Sequence, residues 1–124
     1  MSLAYIRGFE HATLKIEYNL NFRHLFILMW LDELINSGKA TTVEHRGKTF
    51  YWVKYQSVAN DAVILGIGKQ SVELLFYACR DAGILEHYHA SSIPGHRVGS
   101  YSCYRFIPEA LNNIKPPYKP KVKH

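Results

Sequence analysis

The sequence predicts a single α+β domain that is mainly helical. Of its 124 residues, 48% are hydrophobic and 20% are charged, which suits one buried core and excludes a wholly disordered chain. Apolar residues recur at helical spacing over 22–37 and 69–82. Short β-rich runs bounded by glycine-containing turns occupy much of the remaining sequence, so we expect a small antiparallel sheet beside the helices.

The strongest predicted helix covers residues 22–37. Asn21 is a good N-cap residue, and Leu20 and Leu25 occupy the two positions of a hydrophobic staple. Apolar side chains then cover most of the helix surface, so we expect burial on most sides, with Trp30 in the core. Gly38 ends the helix.

The segment before this helix fits two interpretations. Apolar residues from Ile6 to Leu20 follow a helical spacing, whereas from Leu14 onwards apolar and polar residues alternate as in a strand. We predict a helix or strand extension over 4–18 and favour a helix over 4–17.

The remaining elements follow from turn and periodicity signals. Two β-rich runs flank a glycine-containing turn at 44–48, and an apolar turn with two glycines precedes the helix at 69–82. Pro108 suits the first position of a last short helix. The predicted elements are strands 41–43 and 49–53, helix 56–61, turn 62–68, helix 69–82, strands 84–90 and 100–107 around a loop at 91–99, and helix 108–113.

The C-terminal segment 114–124 has a different composition. Residues 115–124 contain three prolines and four lysines, which disfavours both a helix interior and a central strand. We therefore predict a domain over 1–113, with its core at 20–107, followed by a Lys/Pro-rich tail or truncated linker. Of the net charge of +5, residues 108–124 carry +3 and residues 1–107 carry +2, so the folded surface is only mildly basic.

The predicted order of helix, strand, helix, turn, helix, strand, loop and strand is that of a winged helix-turn-helix domain: a three-helix core, a small antiparallel sheet and a wing. Over about residues 20–110 the sequence resembles the winged-helix domains at the N-termini of phage and plasmid replication initiators and replisome organisers. Four segments carry the resemblance: Phe50–Val58, Leu65–Val72, Asp81–Glu86, which opens the wing, and Gly99–Phe106, which closes it. The resemblance implies a double-stranded DNA-binding protein that acts in replication initiation or in related transcription regulation.

The first turn of the helix at 69–82 carries the predicted base-reading residues. In a winged helix-turn-helix, the N-terminal half of this helix meets base edges in the major groove. Lys69 suits a phosphate or guanine, Gln70 suits adenine, and Ser71 suits a phosphate beside the positive end of the helix dipole. The wing presents His96 and Arg97 to the backbone or to an adjacent minor groove.

Other predicted contacts are more open to interpretation. Lys54 and Tyr55, at the start of the preceding helix, are candidate phosphate contacts. Leu74 and Tyr77 fall on the outer face of the helix at 69–82, where Arg, Lys, Asn or Gln would be usual. They suit either thymine methyl and sugar contacts or a protein interface, which would make the domain an interaction or dimerisation module with a second copy or a replication protein as partner.

We predict no enzyme, cofactor or metal site. Val63 stands where a Walker A motif needs glycine, which excludes a phosphate loop at Gly66–Ser71. His87, His89 and His96 suggest zinc, but no cysteine or carboxylate stands at ligand spacing, and no catalytic triad is apparent. Two cysteines do not form a disulfide framework, which favours the reducing cytoplasm. The longest apolar run is far shorter than the roughly 20 residues that span a bilayer, so we expect no membrane partner.

Overall fold

The computed structural model describes residues 5–6 and 8–116. The described residues form five α-helices and a small four-stranded antiparallel sheet, which confirms the mixed α+β class. In chain order the elements are β1 (Tyr5–Ile6), β2 (Phe9–Glu10), α1 (His11–Tyr18), α2 (Phe22–Asn36), β3 (Thr42–His45), β4 (Lys48–Trp52), α3 (Tyr55–Asp61), a 3-10 turn (Val63–Leu65), α4 (Lys69–Asp81), β5 (Leu85–Ala90), β6 (Tyr101–Phe106) and α5 (Pro108–Ile114).

The main sheet joins strands from both sides of the α3–α4 pair. Its strand order is β3-β4-β6-β5, and every neighbouring pair is antiparallel. β4, which precedes α3, pairs with β6 through Tyr51 opposite Tyr104 and Trp52 opposite Cys103. This pairing, continued by a hydrogen bond from the Val53 amide to the carbonyl oxygen of Ser102, brings the loop end of the β5–β6 hairpin close to the start of α3.

The core lies between this sheet and the helices. α4 packs against α2, α3 and β5, and α1 packs against α2 and α5. Tyr104 is fully buried at the centre, where its hydroxyl lies 2.7 Å from that of Tyr55. A smaller cluster fills the other face of the sheet and contains Phe50, Ala90, Ile93 and Cys103.

The predicted start of α2 is confirmed. The Asn21 side chain accepts a hydrogen bond from the amide of Arg23 at 2.9 Å, and the Asn21 amide donates to Nδ1 of His24 at 3.1 Å. Leu20 and Leu25 are both buried, as a hydrophobic staple requires. The helix ends at Asn36, one residue before the predicted end.

The predicted helix over 4–17 is wrong in its first half. Ile6 pairs with Phe9 across a tight turn, and the helix begins only at His11. Gly8 has a φ of 84°, which reverses the chain and directs Phe9 into the core. Ile16, a member of the predicted apolar stripe, is 81% exposed. Residues 4 and 7 lie outside the described residues.

The last helix extends slightly beyond the predicted domain boundary at residue 113. α5 ends at Ile114, which is fully buried, and Nζ of Lys115 lies 2.5 Å from Oδ2 of Asp32 on α2. Most of the predicted tail, residues 117–124, lies outside the described residues. Within the part of the chain that the structure describes, no helix is long and apolar enough to cross a bilayer.

Candidate nucleic-acid interface

α3 and α4 form a helical pair joined by a tight turn. Gly66 ends the 3-10 turn with a φ of 63°, a left-handed conformation that glycine adopts without strain. α4 then begins at Lys69 and buries Val72, Phe76 and Cys79 against the core, as its spacing predicts. The opposite face of α4 is therefore directed away from the core.

The first turn of α4 is open to solvent. Lys69, Gln70 and Ser71 are all exposed. Gly68 is the N-cap residue, and no side chain caps the helix. The free backbone amides and the positive end of the helix dipole are consequently available to an anion beside the Lys69 ammonium group.

The two predicted contact residues on the outer face of α4, Leu74 and Tyr77, differ in how available their side chains are to a partner. Leu74 is 66% exposed. Tyr77 is held along the helix, because its hydroxyl donates to Oε1 of Glu73 at 2.8 Å and the Arg80 guanidinium lies 4.5 Å from its ring centroid. The hydrogen bond to Glu73, with burial, raises the pKa of Tyr77 to about 12. Leu74 is thus the more available of the two side chains.

The predicted wing is a loop with a fixed base. Ile93 is buried, and the amide of Gly99 donates to the carbonyl oxygen of Ser91 at 2.8 Å, which closes the loop. The Tyr101 hydroxyl also donates to the carbonyl oxygen of Arg97. The His96 and Arg97 side chains are exposed on this anchored loop.

The two residues predicted at the start of α3 have different surroundings. Lys54 is exposed, with Nζ 4.5 Å from the Trp52 ring centroid. Tyr55 is only 9% exposed, and its hydroxyl pairs with Tyr104 in the core. Burial raises the pKa of Tyr55. The Tyr55 hydroxyl is therefore poorly placed for the predicted phosphate contact, because the first turn of α3 directs this ring against Phe76.

An open groove of about 420 Å³ brings part of the predicted set together. Lys54 and Lys69 both line this groove, which runs between the starts of α3 and α4 and the start of β6. Ser100, at the end of the loop, also lines it, as does the acidic side chain of Glu73. The groove thus joins the first turn of α4 to the base of the loop, and Tyr55 also lines it. The other predicted contacts lie outside its lining: Gln70, Ser71, Leu74, Tyr77, His96 and Arg97.

Trp52, one of the aromatic residues that the sequence offers for stacking on bases, lies in an aromatic cluster at the base of the loop. The Trp52 ring centroid lies 4.8 Å from that of His96 and 5.3 Å from that of Tyr101, and both contacts are edge-to-face. Trp52 also lines the groove. Strand alternation predicts that either Tyr51 or Trp52 faces outward. The sequence of the long loop, however, contains no periodic pattern from which the contact between His96 and Trp52 could be predicted.

The three histidines considered as zinc ligands do not form one cluster. His87 stacks on Tyr104 with a centroid distance of 4.3 Å, and its ring centroid lies 4.2 Å from that of His89. His96 instead packs against Trp52. Over residues 5–6 and 8–116, no group of three or more His, Cys, Asp or Glu side chains is arranged to hold a metal ion.

Comparison with known proteins gives no assignment. No protein-family model, no curated protein and no solved structure matches the chain. The functional inference therefore depends on the residues of the groove, the loop and α4.

Proposed function

We propose that residues 20–107 form a winged helix-turn-helix domain. α2 supplies the first helix, α3 and α4 supply the helix-turn-helix, and β5 and β6 supply the wing hairpin. The pairing of β4, which precedes the helical pair, with β6, which follows it, supports this assignment. The hairpin strand β3 extends the sheet beyond β4.

The proposed activity is binding of double-stranded DNA. One observation carries this proposal: Lys54 and Lys69 line a single groove that also reaches the base of the exposed loop. Lys69 and Lys54 would contact phosphates, and Gln70 would read an adenine edge from the first turn of α4. Ser71 and the free amides would bind a second phosphate, while His96 and Arg97 would contact the backbone or the minor groove.

The biological setting we propose is replication initiation in a phage- or plasmid-type system, or related transcription regulation. It rests on the four sequence segments described above, and the structure adds support for the domain architecture only. The Gly99–Phe106 segment forms the end of the loop and β6, as expected for the strand that closes a wing.

A protein-interaction module is the second candidate. Leu74 is 66% exposed on α4, and Val63 and Ile64, in the turn before α4, are 75% and 91% exposed. Large apolar side chains at the surface of one structural unit are typical of a protein interface. Binding of a protein partner through these apolar side chains would not depend on Lys54 and Lys69.

Titration of labelled duplex DNA at several salt concentrations tests the first candidate. In a Lys54→Ala/Lys69→Ala double variant, affinity for all duplexes should fall, and the slope of log K against log salt should become shallower by about 0.9 per lost phosphate contact. Gln70→Ala should instead relax preference for one base pair, by about 1–3 kcal/mol. Lys15→Ala is the matched control, because Lys15 is exposed on α1, away from the groove.

A wild-type protein that binds no duplex at low salt would overturn the DNA proposal and leave the interaction module. Wild-type affinity in the double variant would overturn the assignment of the groove. A monomeric mass of the unliganded protein in sedimentation would count against the dimeric form of the second candidate.

A further inference from the structure

A second cleft, of about 240 Å³, lies beside the groove and has its own chemical character. It is bordered by the C-terminal half of α2, the segment that leads into β3, and the start of α3. Both tryptophans of the chain, Trp30 and Trp52, line it together with Lys39 and Lys54. None of its described lining residues is acidic, and Thr41 and Ser57 add hydroxyl groups.

Trp30 is partly buried at the edge of the core, whereas the sequence predicts it within the core. Part of the ring packs against the core, and the remainder lines the cleft. Its Nε1 donates to Oδ2 of Asp61 at 2.7 Å, which fixes the indole in one orientation. A preorganised aromatic ring loses little conformational entropy when a ligand stacks on it.

One of the two cationic groups of the cleft lies against the second tryptophan. Nζ of Lys54 lies 4.5 Å from the Trp52 ring centroid, and Lys39 is exposed at the end of the segment after α2. Asp61, which holds Trp30, lines neighbouring clefts and is absent from the lining of this one. The lining of the cleft therefore combines aromatic rings with two ammonium groups and contains no carboxylate among its described residues.

We propose that this cleft binds an unpaired nucleotide of a nucleic-acid strand, with its base against the tryptophans and its phosphate at Lys39 and Lys54. Aromatic stacking with a basic border is the chemistry by which proteins hold single strands. The volume is below that of typical drug-sized pockets, which suits one base. A base within a duplex hides its faces against its neighbours, so the ligand must be unpaired.

The position of the cleft favours a strand over a free nucleotide. Trp52 and Lys54 line both the cleft and the groove of about 420 Å³, so the phosphates on either side of a bound base have a continuous basic surface to follow. Each site also has residues that the other lacks. Trp30 and Lys39 line the cleft but not the groove, and Lys69 lines the groove but not the cleft. Single-strand binding at the cleft can therefore be tested separately from the proposed duplex binding.

Tryptophan fluorescence reports directly on this cleft, because the chain has no other tryptophans. In Trp52→Phe, Trp30 is the only remaining indole, and titration with a short oligothymidylate should quench it saturably. Adding Lys39→Ala should weaken binding and reduce the single-strand salt slope by about 0.7. In the otherwise wild-type protein, Trp30→Leu should lower strand affinity by between about 5-fold and 150-fold, measured by fluorescence anisotropy of a labelled strand.

Because Lys39 lines the cleft and not the groove, its substitution distinguishes strand binding from duplex binding. Lys39→Ala should leave duplex affinity unchanged, and Lys15→Ala, on α1 and outside both linings, should leave strand affinity unchanged. Lys39→Ala is an exposed substitution, so it tests the cleft even if Trp30→Leu fails to fold. A protein that binds the strand with quenching of Trp30 but fails to bind duplex would support the cleft and contradict only the proposed function.

Two results would overturn the inference. One is an oligothymidylate titration that leaves the fluorescence of Trp30 unchanged, and the other is wild-type strand affinity and salt slope in Lys39→Ala. Equal affinity for thymidine monophosphate and for the oligothymidylate would overturn the assignment to a strand.

Discussion

His87 is a neutral histidine held beneath α4. Its ring stacks on Tyr104, and Nδ1 lies 3.4 Å from Nη1 of Arg80, while Nε2 is buried without a hydrogen-bond partner. Burial, together with electrostatic repulsion from His89 and Arg80, lowers the pKa of His87 to about 4, against an ordinary value of 6.5. Protonation of His87 is therefore resisted only in the folded state.

This difference predicts a specific loss of stability in acid. Between about pH 6.5 and pH 4 the unfolded chain binds a proton at His87 that the folded protein does not, so the free energy of unfolding falls as pH falls. The loss is about 1.4 kcal/mol per pH unit, and about 2–3 kcal/mol in all. Urea denaturation across this pH range should show that the free energy of unfolding of His87→Phe falls by less than that of the wild type, because the variant lacks the contribution of His87.

His96→Gln is the control for that measurement, because His96 is exposed on the loop and makes no contact with His87. It should retain the wild-type decline. Identical pH dependence in His87→Phe and in the wild type would show that His87 is not the titrating group.

Single-residue predictions succeed where the signal is local. The cap of Asn21 and the buried face of α4 follow from spacings of three or four residues, which the helix itself enforces. The predicted phosphate contact of Tyr55 is not supported, because its hydroxyl pairs with that of Tyr104, which is 49 residues later in the chain. The prediction for Trp30 is met only in part for the same reason, since its indole packs against the core but also donates to Asp61, 31 residues later in the chain.

At the scale of elements, the β3–β4 hairpin is tighter than predicted. The sequence predicts a turn at 44–48, but the strands continue to His45 and resume at Lys48. Arg46 and Gly47 alone make the turn, with φ values of 52° and 75°. Two consecutive left-handed residues define a type I′ turn, which asparagine followed by glycine favours, and arginine at the first position conceals that signal in the sequence.

The turn geometry predicts opposite effects for two substitutions. Arg46→Asn should raise the free energy of unfolding by about 0.5–1 kcal/mol, because asparagine tolerates the left-handed conformation better than arginine. Gly47→Ala should lower it by about 1–2 kcal/mol through backbone strain alone, since an added Cβ has no atom within 4 Å. Urea denaturation measures both, and a Gly47→Ala variant as stable as the wild type would contradict the turn assignment.

At the scale of the whole molecule, the basic charge is concentrated outside the described fold. Residues 117–124 contain three lysines, and the chain without them carries a net charge of +2. The element order of the domain was accessible from sequence because each helix and strand has its own periodicity and turn signals. The groove and the cleft were not accessible, because each joins α3 and β4 to residues far away in the chain.

Truncation after Pro116 therefore removes three lysines and leaves the described fold intact, so it tests the contribution of charge to DNA affinity separately from the fold. Affinity for all duplexes should fall by a common factor, with a salt slope shallower by up to about 2.7 if all three lysines contact phosphate, while discrimination between sequences stays the same. Tm should not change, because the truncated chain retains buried Ile114 and the contacts of Lys115 with Asp32 and of Asn113 with Glu17. Truncation after Ile107 removes α5 and should lower Tm. Altered sequence preference in the chain that ends at Pro116, measured by duplex competition, would show that residues 117–124 read bases and do not act only through their positive charge.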